Sequence, residues 1–212
     1  MASVQTSRSR LANIPIVGIV GGIGSGKSSV VRLVKGLRLF VVDADRIGHE
    51  LLSVDLIRDL IVCAFGLSVL DSAGQIDRRR LAIEIFGESS EQQHKRTRLN
   101  LIMHPAIRAK IKEQIKHHPH DAEAVILDAA LLLEAGWADE CDAVIFIDTP
   151  LALRKLRIAE TRGWSAEEHR RRESSQWSLQ RKQAFADFTV DNSGSPDVAA
   201  LQLEQFLKTI TV

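Results

Sequence analysis

The stretch "VGIVGGIGSGKSSVVRL", residues 17–33, passes from a run of β-formers through a glycine- and serine-rich turn to one lysine and then an amphipathic run. Within it, Gly21-Gly22-Ile23-Gly24-Ser25-Gly26-Lys27-Ser28 fits the pattern G-x-x-x-x-G-K-[ST]. Glycines there let successive backbone N–H groups turn toward one point, which makes a cradle for phosphate oxygens. A helix starting near Lys27 adds the positive end of its dipole. Lys27 can then reach the β- and γ-phosphates, and the Ser28 hydroxyl can hold Mg²⁺. From average residue usage, the four fixed positions coincide by chance in roughly 1% of chains this long. The strand-before and helix-after context lowers that further. The stretch predicts a nucleoside-triphosphate site.

A phosphate cradle alone does not separate a kinase from a switch or a motor. A GTPase switch calls for a guanine-reading N-K-x-D or T-K-x-D, and the chain has neither. A motor working on nucleic acid calls for a longer and more basic chain. Here 28 Lys+Arg stand against 27 Asp+Glu, a net charge of +1. That balance gives no global pull toward nucleic acid or membrane, so anions must be held by local clusters. The 212 residues and the 45% apolar share suit one soluble domain, or one domain with an insert. No apolar run reaches the length of a membrane span. Cys63 and Cys141 have no metal-ligand spacing and point to a reducing cytoplasm. Residues 1–14, basic and Ser-rich, read as a flexible leader.

Five runs read as buried parallel strands: 16–20, 39–43, 124–128, 143–148 and 188–191. They are continuously apolar rather than alternating, as expected where helices cover both faces of a sheet. Helical patterns over 27–36, 46–62 and 151–160 separate them, which predicts an α/β fold with right-handed crossovers. Residues 55–120 are too long for a loop and are read as a helical insert. The domain is thus expected over 15–212, with a core of 15–54, 121–150 and 185–212 and a lid over 151–184. Within that last segment, residues 154–182 hold nine Lys/Arg against four Asp/Glu.

The second strand ends in "VVDAD", which puts Asp43 and Asp45 at the carboxyl edge of the sheet, where open α/β sheets bind ligands. A carboxylate there can take the proton of an attacking hydroxyl and align it with a γ-phosphate. One of the two can instead cap the helix expected near Arg46. Strand alternation points them different ways, and Asp45 is taken as the functional one. Asp128, ending the third strand, can hold Mg²⁺ as a Walker-B acid does, or can simply be a turn residue. The arginines of the basic block can neutralise γ-phosphoryl oxygens, with Arg157, Arg162 and Arg172 singled out; a solvated helix face is the plainer alternative. His104 before Pro105 can mark a helix start. The "HHPH" run at 117–120 reads as an exposed turn. Trp137, Trp164 and Trp177 read as packing residues.

"GGIGSGKSS", "VVDADRIGHELL", "GQIDRRRLAIEIFG", "LNLIMHPAI", "DAALLLEAGW" and "ADFTVDNSGS" together resemble the dephospho-coenzyme A kinase family, in the family's order from about residue 16 onward. The resemblance implies a P-loop kinase with a five-stranded parallel sheet in the order 2-3-1-4-5. It implies ATP-dependent phosphorylation of the ribose 3′-hydroxyl of dephospho-CoA, with Mg²⁺, by a cytoplasmic monomer or weak homo-oligomer. Asp45 then matches the base, and Gly22, Ile23, Gly24, Ser25, Gly26, Lys27, Ser28 and Ser29 the ATP loop. Asn192 falls where the family approaches adenine. Leu132 and Glu134 match the D-x-P-L-L-x-E segment near the acceptor, and Arg78 and His104 the acceptor-binding insert. The chain departs from the pattern at Ala130, where proline is usual, at Leu133, where an aromatic is frequent, and in "KGLRLF", which lacks the usual Leu-Gly-Ala. Two rival readings remain: a kinase for a nucleoside or nucleotide, and a nucleotide-binding sensor without transfer activity.

Overall fold

A computed structural model of the protein describes residues 11–87 and 89–211. Five parallel strands, β1 (Ile16–Gly21), β2 (Leu39–Asp43), β3 (Ala124–Asp128), β4 (Ala143–Asp148) and β5 (Phe188–Asp191), form one sheet. Its order is β2-β3-β1-β4-β5, as expected. Every residue of β1 is buried, as are the first four of β3 and the first five of β4. That explains their unbroken apolar runs. Where the strands begin, acidic side chains take amides at or beside their first residues. Asp142 accepts from Ile16 N–H, Asp187 from Val144 N–H and Glu123 from Arg38 N–H, each at 2.8 Å.

The sheet unit comprises residues up to Asp43 and from Gln114 onward. It carries α1 (Lys27–Leu33) beside the C-terminal helix Pro196–Ile210, with their buried faces on Val17, Ile19, Ile126, Ile145 and Ile147. Helix α1 stops three residues earlier than the pattern suggests. The Glu204 carboxylate takes the N–H groups of Lys35 and Gly36 at 3.2 and 2.9 Å, drawing the chain out of the helix.

The helical unit is Ala44–Glu113. It holds α2 (Ala44–Leu51), α3 (Asp55–Phe65), α4 (Arg78–Ile85) and most of α5 (Ser90–Lys116). The single helix expected over 46–62 is two, broken at Val54, which is extended (φ −80°, ψ 124°). Helix α2 already starts at Ala44, so strand alternation ends at Asp43, and Asp45 sits in the first helical turn. Pro105 does not start a helix either; it lies inside the 27-residue α5. The buried stripe of α5 is Leu99, Met103, Ile107, Ile111 and Ile115, at four-residue spacing, while Pro105 and Leu101 are exposed. The carbonyl that proline leaves without a donor is thus on the wet side, where water can satisfy it.

Residues 151–184 fold as α6 (Leu151–Arg162), α7 (Ala166–Glu173) and α8 (Leu179–Phe185), and Pro196–Ile210 is α9. Among the described residues, no helix is long and apolar enough to cross a membrane.

Candidate active site

At the end of β1 the chain turns over Gly22–Gly26 into α1. Gly24 and Gly26 take left-handed conformations, φ +78° and +81°, which side-chain-bearing residues rarely adopt. Gly22 is needed for another reason: a Cβ there would stand 2.6 Å from Nη1 of Arg154. The loop is therefore held from beneath by side chains as well as by its own turns.

Two carbonyls carry that hold. The Ile23 carbonyl accepts from Arg154 Nη1 at 3.3 Å. The Ser25 carbonyl accepts from the Thr149 hydroxyl at 2.9 Å, Asn192 Nδ2 at 2.7 Å and Arg157 Nη1 at 3.2 Å. In a planar trans peptide a carbonyl and the following N–H point in opposite directions. Fixing these two carbonyls therefore aims the N–H groups of Gly24 and Gly26 the other way. Such convergent amides, next to the start of α1, form an anion nest. Lys27 opens α1, partly buried.

Ser28, one residue on, donates its hydroxyl to Asp128 Oδ2 at 2.6 Å. Asp128 ends β3 and pairs in register with Ile19 of β1 and Asp43 of β2. A hydroxyl and a carboxylate at hydrogen-bond distance are hard oxygen ligands of the kind Mg²⁺ takes, so this pair fits the cation expected there. Asn192, following β5, is 1% exposed, and its Oδ1 is buried without a partner. Ser29 is exposed and accepts from Arg32 at 3.3 Å.

In the segment after β3, Leu132 and Glu134 both make contacts within the protein. Leu132 is fully buried, its Cδ1 atom within 2.9 Å of where a Cβ of Gly18 would stand, so no substrate atom reaches it in this conformation. Glu134 Oε1 accepts from Trp177 N–H at 2.7 Å and pairs with Lys182 Nζ at 3.2 Å, while its Oε2 is buried without a partner. Lys182, only 1% exposed, also donates to Gln176 Oε1 at 2.8 Å. The pair ties α8 to the loop after β3, and neither partner can be removed alone without leaving a buried charge.

Of the arginines singled out in the basic block, Arg157 reaches the loop, as above. Arg172 pairs with Glu168 at 2.6 Å and lies 4.3 Å over the Trp164 ring. Arg162 ends α6, and its side chain lies outside the described residues. Arg154 and Thr149 were not singled out, nor was Lys182. Their sequence signal is faint, since one buried arginine or lysine in a basic block looks like the exposed ones. Trp137 packs in the core at 4% exposure. His118 engages Asn13 Oδ1 at 3.1 Å.

In the helical unit, Asp45 is exposed in the first turn of α2. Arg78 opens α4 behind the Asp77 cap, whose carboxylate takes the N–H groups of Arg79 and Arg80 at 2.8 and 3.2 Å. Those amides, that of Arg80 foremost, hold the Asp77 carboxyl below its usual range. His104 is half-buried on α5, and desolvation pushes its imidazole below its ordinary value.

Against known proteins, the model of the dephospho-CoA kinase family matches residues 15–197. The chain is 37% identical over 185 residues to a dephospho-CoA kinase of Corynebacterium diphtheriae, covering 86% of this chain and 90% of that one. It is 36% identical over 200 residues to a dephospho-CoA kinase of Geobacillus kaustophilus, covering 91% and 94%. Among solved structures, a Thermus thermophilus protein superposes with a TM-score of 0.76 at 28% identity, over 94% of this chain and 99% of that one. A dephospho-CoA kinase from Campylobacter jejuni gives 0.57 at 25% identity, over 91% and 97%. With its nucleotide loop, its sheet order and a family match over most of its length, the chain belongs to the dephospho-CoA kinase family.

Proposed function

We infer that the protein transfers the γ-phosphoryl group of ATP to the ribose 3′-hydroxyl of dephospho-CoA, giving coenzyme A and ADP. The observation that carries the donor half is the loop whose Ile23 and Ser25 carbonyls are fixed from below, so that its amides converge on one anion site. The family carries the acceptor.

The amides and Lys27 hold the triphosphate and align its terminal phosphorus. Asp45, an exposed carboxylate just past the end of β2, accepts the proton of the 3′-hydroxyl. The ribose oxygen then bonds to the γ-phosphorus. The bond to the β–γ bridging oxygen breaks, and ADP leaves with that electron pair. Ser28 and Asp128 would hold Mg²⁺, which neutralises phosphate charge when bound. Asn192 and Arg157, which donate to the Ser25 carbonyl, are assigned to the nucleotide, and Arg162 and Arg172 to the spreading transition-state charge. Arg78, His104 and Glu134 are assigned to the acceptor side. Water has to be kept out or ATP is simply hydrolysed, so residues 151–184 serve as a lid that closes on both substrates. Cys63 is exposed, and the buried Cys141 thiol donates to the Trp137 carbonyl, an arrangement in keeping with a reducing cytoplasm.

The test is a coupled assay with Mg-ATP and a panel of acceptors. Dephospho-CoA should give the highest kcat/KM. A nucleoside or nucleotide giving a higher value would move the assignment to a different small-molecule kinase.

A further inference from the structure

Helix α6 buries an arginine on the same face as Ile158, which is 2% exposed. Its Leu151 and Leu156 are exposed, at 47% and 56%, while Arg154 is buried at 3%. A guanidinium is put in the interior only where its charge is paired and its N–H groups are used. Arg154 meets both conditions. Its Nε donates to the Thr149 carbonyl at 3.2 Å, and its Nη1 to the Ile23 carbonyl at 3.3 Å. The same Nη1 forms an ion pair with Glu173, the last residue of α7.

Each contact has a consequence for the phosphate loop. The bond to Ile23 fixes the peptide whose N–H, that of Gly24, belongs to the nest. The bond to Thr149 holds the residue whose hydroxyl fixes the Ser25 carbonyl. Gly22 lies so close above the arginine that a Cβ there would stand 2.9 Å from its Cζ. Glu173 supplies the counter-charge from a different helix, and at 26% exposure it can exchange that role with water more readily than Arg154 can.

We propose that Arg154 and Glu173 form a positioning pair, in which Glu173 on α7 holds the Arg154 guanidinium against the Ile23 and Thr149 carbonyls and so sets the affinity of the loop for ATP without touching the nucleotide. The pair makes α7 a part of the donor site. It rests on reading the loop as the ATP site, and not on which acceptor the enzyme uses.

The test is ATP binding by calorimetry, without acceptor, to the full-length wild type, R154K, E173Q and the double variant, with the Tm of each. R154K keeps the charge but loses the planar fork that spans two carbonyls, and should weaken ATP binding about tenfold. E173Q should weaken it about threefold alone and add nothing in the R154K background, because the two act as a unit. KM for dephospho-CoA should stay within about twofold in both single variants, whereas a merely structural loosening would raise both KM values in step with a falling Tm. The proposal is overturned if E173Q binds ATP as tightly as wild type, or if its effect persists undiminished beside R154K. Should R154K fold poorly, E173Q decides alone, since it changes one partly exposed side chain. A wild type that does not bind ATP would instead overturn the reading of the loop itself.

Discussion

The phosphate loop and the helical unit, to which we assign the donor and the acceptor side of the reaction, are built on opposite principles. Around the loop, polar groups are buried and mutually bonded: Ser25, Arg154, Thr149 and Asn192 are each under 5% exposed. In the helical unit, Asp45 and Arg78 are exposed, and His104 is partly so. A buried array tied together by hydrogen bonds holds its shape before ligand arrives, which lowers the cost of ordering on binding, and the unpartnered Ser25 Oγ and Asn192 Oδ1 are the polar atoms it leaves over. Solvent-facing side chains on helices gain their geometry from the ligand. On that assignment, the contrast predicts a donor site made in advance and an acceptor site completed by its substrate. It follows that changes in the first region should act on ATP binding, and changes in the second on turnover.

The largest expected effect lies in the helical unit. D45N removes the carboxylate we assign as proton acceptor and keeps the volume, so kcat should fall by about 10²–10⁴ while ATP binding stays within about twofold. Unchanged turnover would show that another group takes the proton. Next comes the loop itself. G24A forces a Cβ to within 2.7 Å of the Arg154 carbonyl at φ +78°, a position where alanine is strained. ATP affinity should drop about 10- to 100-fold, a cost of about 1–3 kcal/mol. Normal ATP binding by this variant would contradict a preformed nest.

A smaller effect belongs to N192A. It removes one of three donors to the Ser25 carbonyl, leaving Thr149 and Arg157, so ATP binding should weaken only about fivefold. A loss far above that would mean that Asn192 contacts the nucleotide directly, through the Oδ1 that has no partner within the protein.

The smallest effect is on pH dependence. Burial lowers the His104 imidazole below its ordinary value of 6.5, so below that pH the unfolded chain binds more protons than the folded one. The stability due to the neutral ring is therefore complete above about pH 6.5 and is lost as pH falls. H104Q should shrink the drop in Tm between pH 7 and pH 5 by about 1 °C, since the ring is only half-buried and largely screened. An unchanged or steeper drop would place the acid sensitivity elsewhere.

The five strands were legible because both faces of β1, β3 and β4 are covered, and burial on two sides leaves an unbroken apolar run. The loop was legible because each of its glycines answers a local demand, whether a left-handed φ or a close approach. Ser28 and Asp128 were legible as chemistry, and their bond at 2.6 Å joins residues a hundred positions apart. Pro105 misled because the rule for proline is local, whereas the buried stripe from Leu99 to Ile115 is set by packing along the whole helix. Arg154 was hidden for the converse reason. On α6 Leu151 and Leu156 are exposed while Arg154 shares the buried face with Ile158, so a charged side chain sits where periodicity calls for an apolar one. Leu132 and Glu134 sit where motif spacing suggests, but the first packs on Gly18 and the second binds Lys182 and the Trp177 amide.

The measurement closest to the central claim is phosphorus NMR of the purified protein incubated with Mg-ATP and dephospho-CoA. A new ribose 3′-phosphate monoester resonance, growing one-for-one with ADP and absent in D45N, is the predicted result. ADP released with inorganic phosphate and no ester, or an ester at another hydroxyl, would contradict the account.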